Sequence, residues 1–283
     1  MTVAARRRAA SRSIRLDRSL EALPLFRLSD SAEDGTISYA DTEGHRWRVL
    51  PSPGDRLPGT FDQDVYIELL RRYNDADQPA DGAISFTLHA FLRAMGRRVD
   101  GRTYEQLRSA LGRLERTTLE SSGVYESMAG GRRSDVRFSI LTGVAVERRR
   151  TMDREQLQLF NSISTAEPGV ARVILSAVVR ENLAADHVVS LSATCYWGLG
   201  SPVARRLYRL LEVARAEERL TWRIALDRLA EQLPLTQKYP SHLQRVLQPA
   251  HDMLVAAGVL RNVVIRQQQR KWFVDYMLGS RPS

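Results

Sequence analysis

Apolar residues recur at helical spacing and then alternate, in the same order, twice along this chain. In the later stretch, Val203, Leu207, Leu210, Leu211 and Ala214 share one face of a helix. Ser201 and Pro202 start it well, with the hydroxyl as N-cap and the proline at the first helical position, where no amide hydrogen is missed. Residues 221–224 read as a short strand. A second helix, with Leu226, Leu229, Ala230 and Leu233 on one face, stops at Pro234. A turn through Gln237, Lys238 and Tyr239 leads to a third, whose apolar positions are Leu243, Val246, Leu247, Ala250, Leu254 and Ala257. Gly258 is placed to close that helix in the left-handed conformation. Pro249 lacks the amide donor and crowds the carbonyl of Arg245, which predicts a kink or thinning there. Two strand-like runs, 259–265 and 272–277, follow on either side of a polar tip at 267–271.

The earlier stretch repeats this order. Val65, Ile67, Leu69, Leu70 and Tyr73 lie in a helix that begins near Phe61 and ends at Asn74 and Asp75. Residues 84–86 read as a strand and 88–95 as a second helix stopped by Gly96. Thr103 is read as the cap of a third helix, with Gln106 completing a capping box. Its stripe, Leu107, Ala110, Leu111 and Leu114, has the spacing found again in Leu243, Val246, Leu247 and Ala250. Runs at 119–125 and 136–146 then flank a tip at 129–134. Ahead of this unit, 23–28 reads as a short strand, and 37–39 with 47–50 as a hairpin around Asp41, Thr42, Glu43 and Gly44. Doubled order predicts an α+β fold of two tandem winged-helix domains, each three helices and a β-hairpin wing, with extra strands. The expected divisions are a basic, disordered arm over 1–19, an N-terminal domain over 20–150, a linker over 151–168 and a C-terminal domain over 169–279. In that division, 173–175, a helix over 177–184 and 188–191 open the second domain.

Composition sharpens the choice of partner. The 283 residues carry a net charge of +9, and lysine occurs only at Lys238 and Lys271, so the excess is arginine. Such an excess attracts polyanions, nucleic acid ahead of a membrane surface. No apolar run approaches the roughly 20 residues that span a bilayer. Cys195 is the only cysteine, which excludes an internal disulfide framework and suits a reducing cytoplasm; its apolar neighbours suggest a buried structural thiol. The N-terminal arginines Arg6, Arg7, Arg8, Arg12, Arg15 and Arg18 precede no apolar segment of a secretory signal. They form either a solvated tail or an arm that tracks phosphates.

Catalytic motifs are missing. The chain holds no phosphate-binding glycine loop ending in lysine, no paired-histidine or paired-cysteine metal motif, and five scattered histidines. No enzymatic activity, metal or cofactor is expected. Asp62, Asp64 and Glu68 read as helix N-terminal charges. The positive signal is off the apolar stripes. Lys238, Tyr239, Ser241, His242, Gln244, Arg245 and Gln248 surround the third helix of the later unit, and arginine and glutamine suit guanine and adenine edges respectively. The matching face of the earlier unit is Arg102, Thr103, Gln106, Arg108, Ser109, Arg113 and Arg116. Arg132, Arg133, Arg270 and Lys271 are the expected contacts of the two hairpin tips with phosphate or the minor groove. An ordinary solvated helix face or turn is the alternative reading in each case.

The blocks LPLFRLSD from Leu23, DGRTYEQLRSALGRLERTTLESSGVY from Asp100, SPVARRLYRLLE from Ser201 and KYPSHLQRVLQPAHDMLVAAGVL from Lys238 resemble the plasmid replication initiator protein A family, within the two-winged-helix plasmid initiators. The resemblance implies a cytoplasmic, sequence-specific double-stranded DNA-binding protein that binds origin repeats, initiates replication and can repress its own promoter. It also implies contacts with a host helicase or initiator and a homodimer that exchanges with a monomer. A transcriptional repressor with no replication role is the alternative.

Overall fold

The computed structural model describes residues 13–28, 35–128, 132–133, 135–146, 170–237 and 239–281. The chain opens with β1 (Ser13–Asp17) and α1 (Arg18–Glu21), followed by β2 (Ile37–Ala40) and β3 (Arg46–Leu50). Then come α2 (Thr60–Asp75), β4 (Ala83–Thr87), α3 (Leu88–Ala94) and α4 (Gly101–Arg116). Five strands follow: β5 (Thr118–Ser122), β6 (Glu126–Ser127), β7 (Arg132–Arg133), β8 (Val136–Phe138) and β9 (Leu141–Val146). Next are β10 (Val170–Leu175), α5 (Ala177–Ala184), β11 (Val188–Ser192), α6 (Ala193–Gly198) and α7 (Pro202–Ala216). The last elements are β12 (Thr221–Ala225), α8 (Leu226–Gln232), α9 (Pro240–Ala256), β13 (Leu260–Gln268) and β14 (Lys271–Leu278).

The result is a mixed α/β fold with antiparallel sheets, in which one arrangement occurs twice. Helix, strand, two helices and a sheet of order β4-β10-β9 in the first half correspond to α7, β12, α8, α9 and a sheet of order β12-β14-β13 in the second. In both, the strand between the first two helices pairs with the last strand of the unit. The striped faces are the buried ones: Leu107, Ala110, Leu111 and Leu114 on α4, and Leu243, Leu247, Ala250 and Leu254 on α9. Ser201 caps α7 by accepting from the Ala204 amide, and Gly258 follows α9 at φ +72°, both as the sequence predicts.

Several expectations change. The hairpin of the first unit is β9 with β10, paired Val173 to Val144, not the runs around 129–134. Those runs, as β5 and β8, instead join the β2–β3 hairpin in a sheet of order β2-β3-β5-β8. Hence Val170–Leu175, placed by sequence at the head of the second domain, belongs to the sheet of the first half. The linker expected at 151–168 lies outside the described residues, as do 1–12 of the arm and residues 129–131 and 134 of the presumed tip. Residues 23–28 form a buried loop, not a strand. Pro24 supplies no amide hydrogen to a ladder, and its carbonyl instead accepts from the Trp47 indole at 2.7 Å. The N-cap of α4 is Asp100, not Thr103: its carboxylate accepts from the Thr103 amide at 2.9 Å, and Thr103 Oγ1 accepts from the Asp100 amide at 3.0 Å. α9 runs through Pro249 as one helix, held by the buried residues on either side of it.

The arm is also shorter than expected. Residues 13–17 pair with β11, Leu16 opposite Val189, and bury Ile14 and Leu16. Asp17 then caps α1, accepting from the Ser19 and Leu20 amides at 2.9 and 3.3 Å, from Asn182 at 3.0 Å and from the Tyr125 hydroxyl. Burial, opposed by these hydrogen bonds, raises its carboxyl from 3.8 to about 7. A group whose folded pKa is raised contributes stability below its unfolded pKa and loses it as pH rises through the folded value. That contribution amounts to about 4 kcal/mol, lost between pH 4 and pH 7. Asp17→Asn should remove the dependence, so the melting temperature of the variant relative to the parent climbs from pH 5 to pH 8.5. A difference flat with pH contradicts the assignment.

Much of the arginine excess is internal. Asp62 is bonded by Arg113 at 2.9 Å, Asp64 by Arg205 and Arg97 at 2.6 and 2.8 Å, and Glu68 by Arg71 and Arg72 at 2.7 and 2.8 Å. These three carboxylates are buried partners of arginine, not solvated charges, and Asp62, in the first turn of α2, also accepts from the Gly59 amide at 2.8 Å, as a helix N-terminal charge does. The Cys195 thiol is half-buried on α6, where burial pushes it up, in keeping with an inert thiol. Among the described residues no helix is long and apolar enough to cross a membrane.

Candidate nucleic-acid interface

α9 begins at Pro240 after Tyr239, whose side chain makes no capping bond and is 69% exposed. The Tyr239 ring stands edge-on to His242 at 5.7 Å. Because Leu243 and Leu247 are buried, the helical period turns Ser241, His242, Arg245 and Gln248 outward, with Gln244 half-buried. Arg245 has no hydrogen-bond or ion-pair partner among the described residues. Gln248 donates to Asp252 at 2.8 Å and is less free. Lys238 lies outside the described residues. The first half of α9 therefore offers hydroxyl, imidazole, amide and guanidinium groups on one exposed surface, suited to base edges and phosphates.

Behind it, the β13–β14 hairpin closes in a two-residue turn, Gln269 and Arg270, with Gln268 opposite Lys271 and Gln269 at φ 57°. Arg270 and Lys271 are exposed at the tip. The outer face of this sheet adds cations that apolar alternation did not single out. Arg266 reaches Asp275 at 2.6 Å, and Arg223 lies over the Phe273 ring at 4.3 Å. Their signal in the sequence was their phase opposite Val274 and Tyr276, which face the core.

On α4 the predicted face divides. Arg102 and Gln106 are exposed, and Thr103, Arg108 and Ser109 half-buried, with Thr103 engaged in the cap and Arg108 3.5 Å from Glu105. Arg113 is a correction. It is 6% exposed and bonded to Asp62, so it supports the fold. Arg116 is exposed but held by Asp55 at 2.5 Å. A groove of about 1010 Å³ separates α4 from the 51–56 loop, with Arg102, Gln106 and Ser109 on one wall and Arg56 on the other. Arg56, in a proline- and glycine-rich loop, gave no motif to find it by. Thr36 lines this groove and also a second cleft, of about 560 Å³, beside Gln237 and Leu243 at the start of α9. One segment thus borders both helices. Arg133 is exposed but lies 3.3 Å from Glu43 and 3.6 Å from Asp41, in the two-stranded β6–β7 ribbon; the side chain of Arg132 lies outside the description.

Solved structures share this fold over nearly its whole length. The crystal structure of domains 2 and 3 of RctB covers 94% of this chain and 99% of its own, with a TM-score of 0.57 and 13% identity. The crystal structure of the Pi initiator protein in complex with iteron DNA covers 96% of this chain and 99% of its own, with a TM-score of 0.55 and 12% identity. A Wigglesworthia glossinidia brevipalpis protein, provisionally named as a replication protein, is 33% identical over 82 residues. That match spans 28% of this chain and 30% of the relative. The family model described as replication initiator protein A matches residues 15–246, well over half of the 283 residues. By that match, the protein belongs to the replication initiator protein A family.

Proposed function

We propose that the two repeated units are winged helices and that the protein binds repeated origin sequences in duplex DNA to initiate replication of its plasmid or replicon, without catalysing a reaction itself. The observation that carries this reading is the exposed face of α9, with Tyr239, Ser241, His242 and an Arg245 without a partner among the described residues, together with a hairpin tipped by Arg270 and Lys271. In the proposed pose α9 lies in the major groove, the tip meets the backbone, and Arg102, Gln106 and Ser109 of α4 contact a second segment. The DNA in the Pi initiator's structure supports extending such binding to this fold. Homodimerisation, autorepression and recruitment of a host helicase or initiator belong to the same proposal, as family traits.

Two substitutions separate the roles. Arg245→Ala should lose about 1–3 kcal/mol of binding and relax preference at one base position. Arg270→Ala should weaken binding evenly across sequences and reduce its salt dependence. Competition binding against a library of single-base variants reads both, and a uniform loss for Arg245→Ala would make it a phosphate contact. Replication itself is tested with a plasmid whose only origin is this gene and its neighbouring DNA. Autonomous maintenance that fails on combining Arg245→Ala with Tyr239→Ala is the expected result. Promoter repression without maintenance would overturn the initiator reading.

A further inference from the structure

Two buried carboxylates join the halves of the molecule. Glu21, fully buried at the end of α1, accepts from Arg209 Nε at 2.6 Å and from the Tyr66 hydroxyl at 3.0 Å. Its backbone carbonyl accepts from Arg206 Nη1 at 2.8 Å, and Arg206 Nη2 donates to the Leu23 carbonyl, also at 2.8 Å. Arg209 reaches Gln63 at 3.2 Å and lies over the Phe26 and Tyr66 rings at 5.5 and 5.3 Å. One turn away, Asp64 holds Arg205 at 2.6 Å and the Tyr196 hydroxyl at 3.1 Å. The arginines stand within little more than one turn of α7, the first helix of the second unit, while Glu21, Gln63, Tyr66 and Asp64 belong to the first half.

Apolar surfaces tolerate small slides. A buried charge does not, because moving it leaves a desolvated ion or donor unpaired. Burial lowers Arg206 to about 9, with the neighbouring Arg209 adding to the effect, a sign of how dry this junction is. Ion pairs of this kind contribute little net stability beside an apolar replacement, and their best-attested use is to fix registry. The registry here has a readout. α4 packs on α2, which carries Gln63, Asp64 and Tyr66, and α9 packs on α7, which carries the arginines. An unbroken line of packed elements therefore runs from α4 through the carboxylates to α9.

We propose that Glu21 and Asp64, gripped by Arg205, Arg206 and Arg209, are positioning residues that fix the angle between α4 and α9 and so set the spacing between the DNA segments these helices contact. The inference rests on the reading that both helices meet one duplex, which their common border at Thr36 favours. The junction itself touches no DNA in that reading.

The test uses the full chain with Cys195→Ala and spin labels on two exposed positions, His89→Cys on α3 and Ala256→Cys on α9. The parent should give one narrow distance distribution, and Asp64→Asn combined with Arg205→Met a broader one. Glu21→Gln is the harsher variant, and if it does not fold the first pair decides. On a footprinted site, inserting half a helical turn between the two protected segments should weaken the parent at least about tenfold and the variant less than about threefold. Equal distance widths together with equal sensitivity to the insertion overturn the inference. A parent insensitive to spacing overturns the two-helix reading beneath it, and the label distances then still decide whether the junction holds the halves.

Discussion

Replacing Arg113 by alanine should lower the unfolding free energy by about 3–5 kcal/mol at pH 7 and leave the DNA face of α4 in place if the fold survives. Arg113 is on the third helix of the first unit among arginines that read as DNA contacts, but its guanidinium is 7% exposed and meets Asp62, 3% exposed, at 2.9 Å. Burial already raises the Asp62 carboxyl, and the Arg113 charge is the main influence opposing that rise. Without it, a buried carboxylate has to stay charged alone or take up a proton. The penalty should therefore shrink as pH falls and Asp62 becomes neutral in the folded variant. Urea midpoints of Arg113→Ala at pH 7 and pH 5 measure this. Arg116→Ala, whose partner Asp55 lies on the surface, should cost less than about 1 kcal/mol. Unchanged stability with a specific loss of DNA affinity in Arg113→Ala would return this residue to the interface.

The second large effect concerns His251, buried on the inner side of α9. Its Nε2 lies 3.0 Å from the Tyr276 hydroxyl, and its ring stands edge-on to that of Tyr276 at 5.5 Å. Burial pushes its pKa down from 6.5 to about 4. The unfolded chain then binds a proton that the folded chain refuses, so stability falls as pH drops from 6.5 to 4, by about 3 kcal/mol. Asp17 acts in the opposite sense over much of the same range, so the two are separated only by variants. His251→Gln should remove the acid-side loss, and the variant's stability relative to the parent should rise steadily from pH 7 to pH 4.5. A parallel pair of stability curves would show that the imidazole is not held neutral. Because the ring sits behind Leu247 and Ala250, its protonation would also disturb the helix that carries Arg245.

The stripes on α4 and α9 made the doubled order of elements legible, because a buried helix face writes its period directly into the sequence. Strand pairing across long separations did not show. β9 and β10 are divided by residues 147–169, of which 151–168 read as a linker, and β1 pairs along its whole length with β11, from Ser13 opposite Ser192 to Asp17 opposite Val188. Nothing local records such a partner, whereas the β2–β3 hairpin, with its five-residue connection, was plain. The arginines divide along the same line. Arg113 and Arg245 look alike in sequence, both off the stripe of a basic helix, yet one meets a carboxylate 51 residues away and the other meets none among the described residues. Arg206 and Arg209 likewise interrupt the apolar pattern of α7 only because Glu21 waits at the far end of the chain.

In the proposed function, the protein's basic face binds duplex DNA with sequence selectivity. Gel-shift titration of the full chain against DNA flanking its gene, beside random DNA of equal length, at several salt concentrations, tests it most directly. A clear preference for the flanking DNA is expected, with an affinity that falls steeply with salt, by a logarithmic slope of about 0.9 for each phosphate neutralised. Equal binding to both DNAs, with a flat dependence on salt, would contradict it.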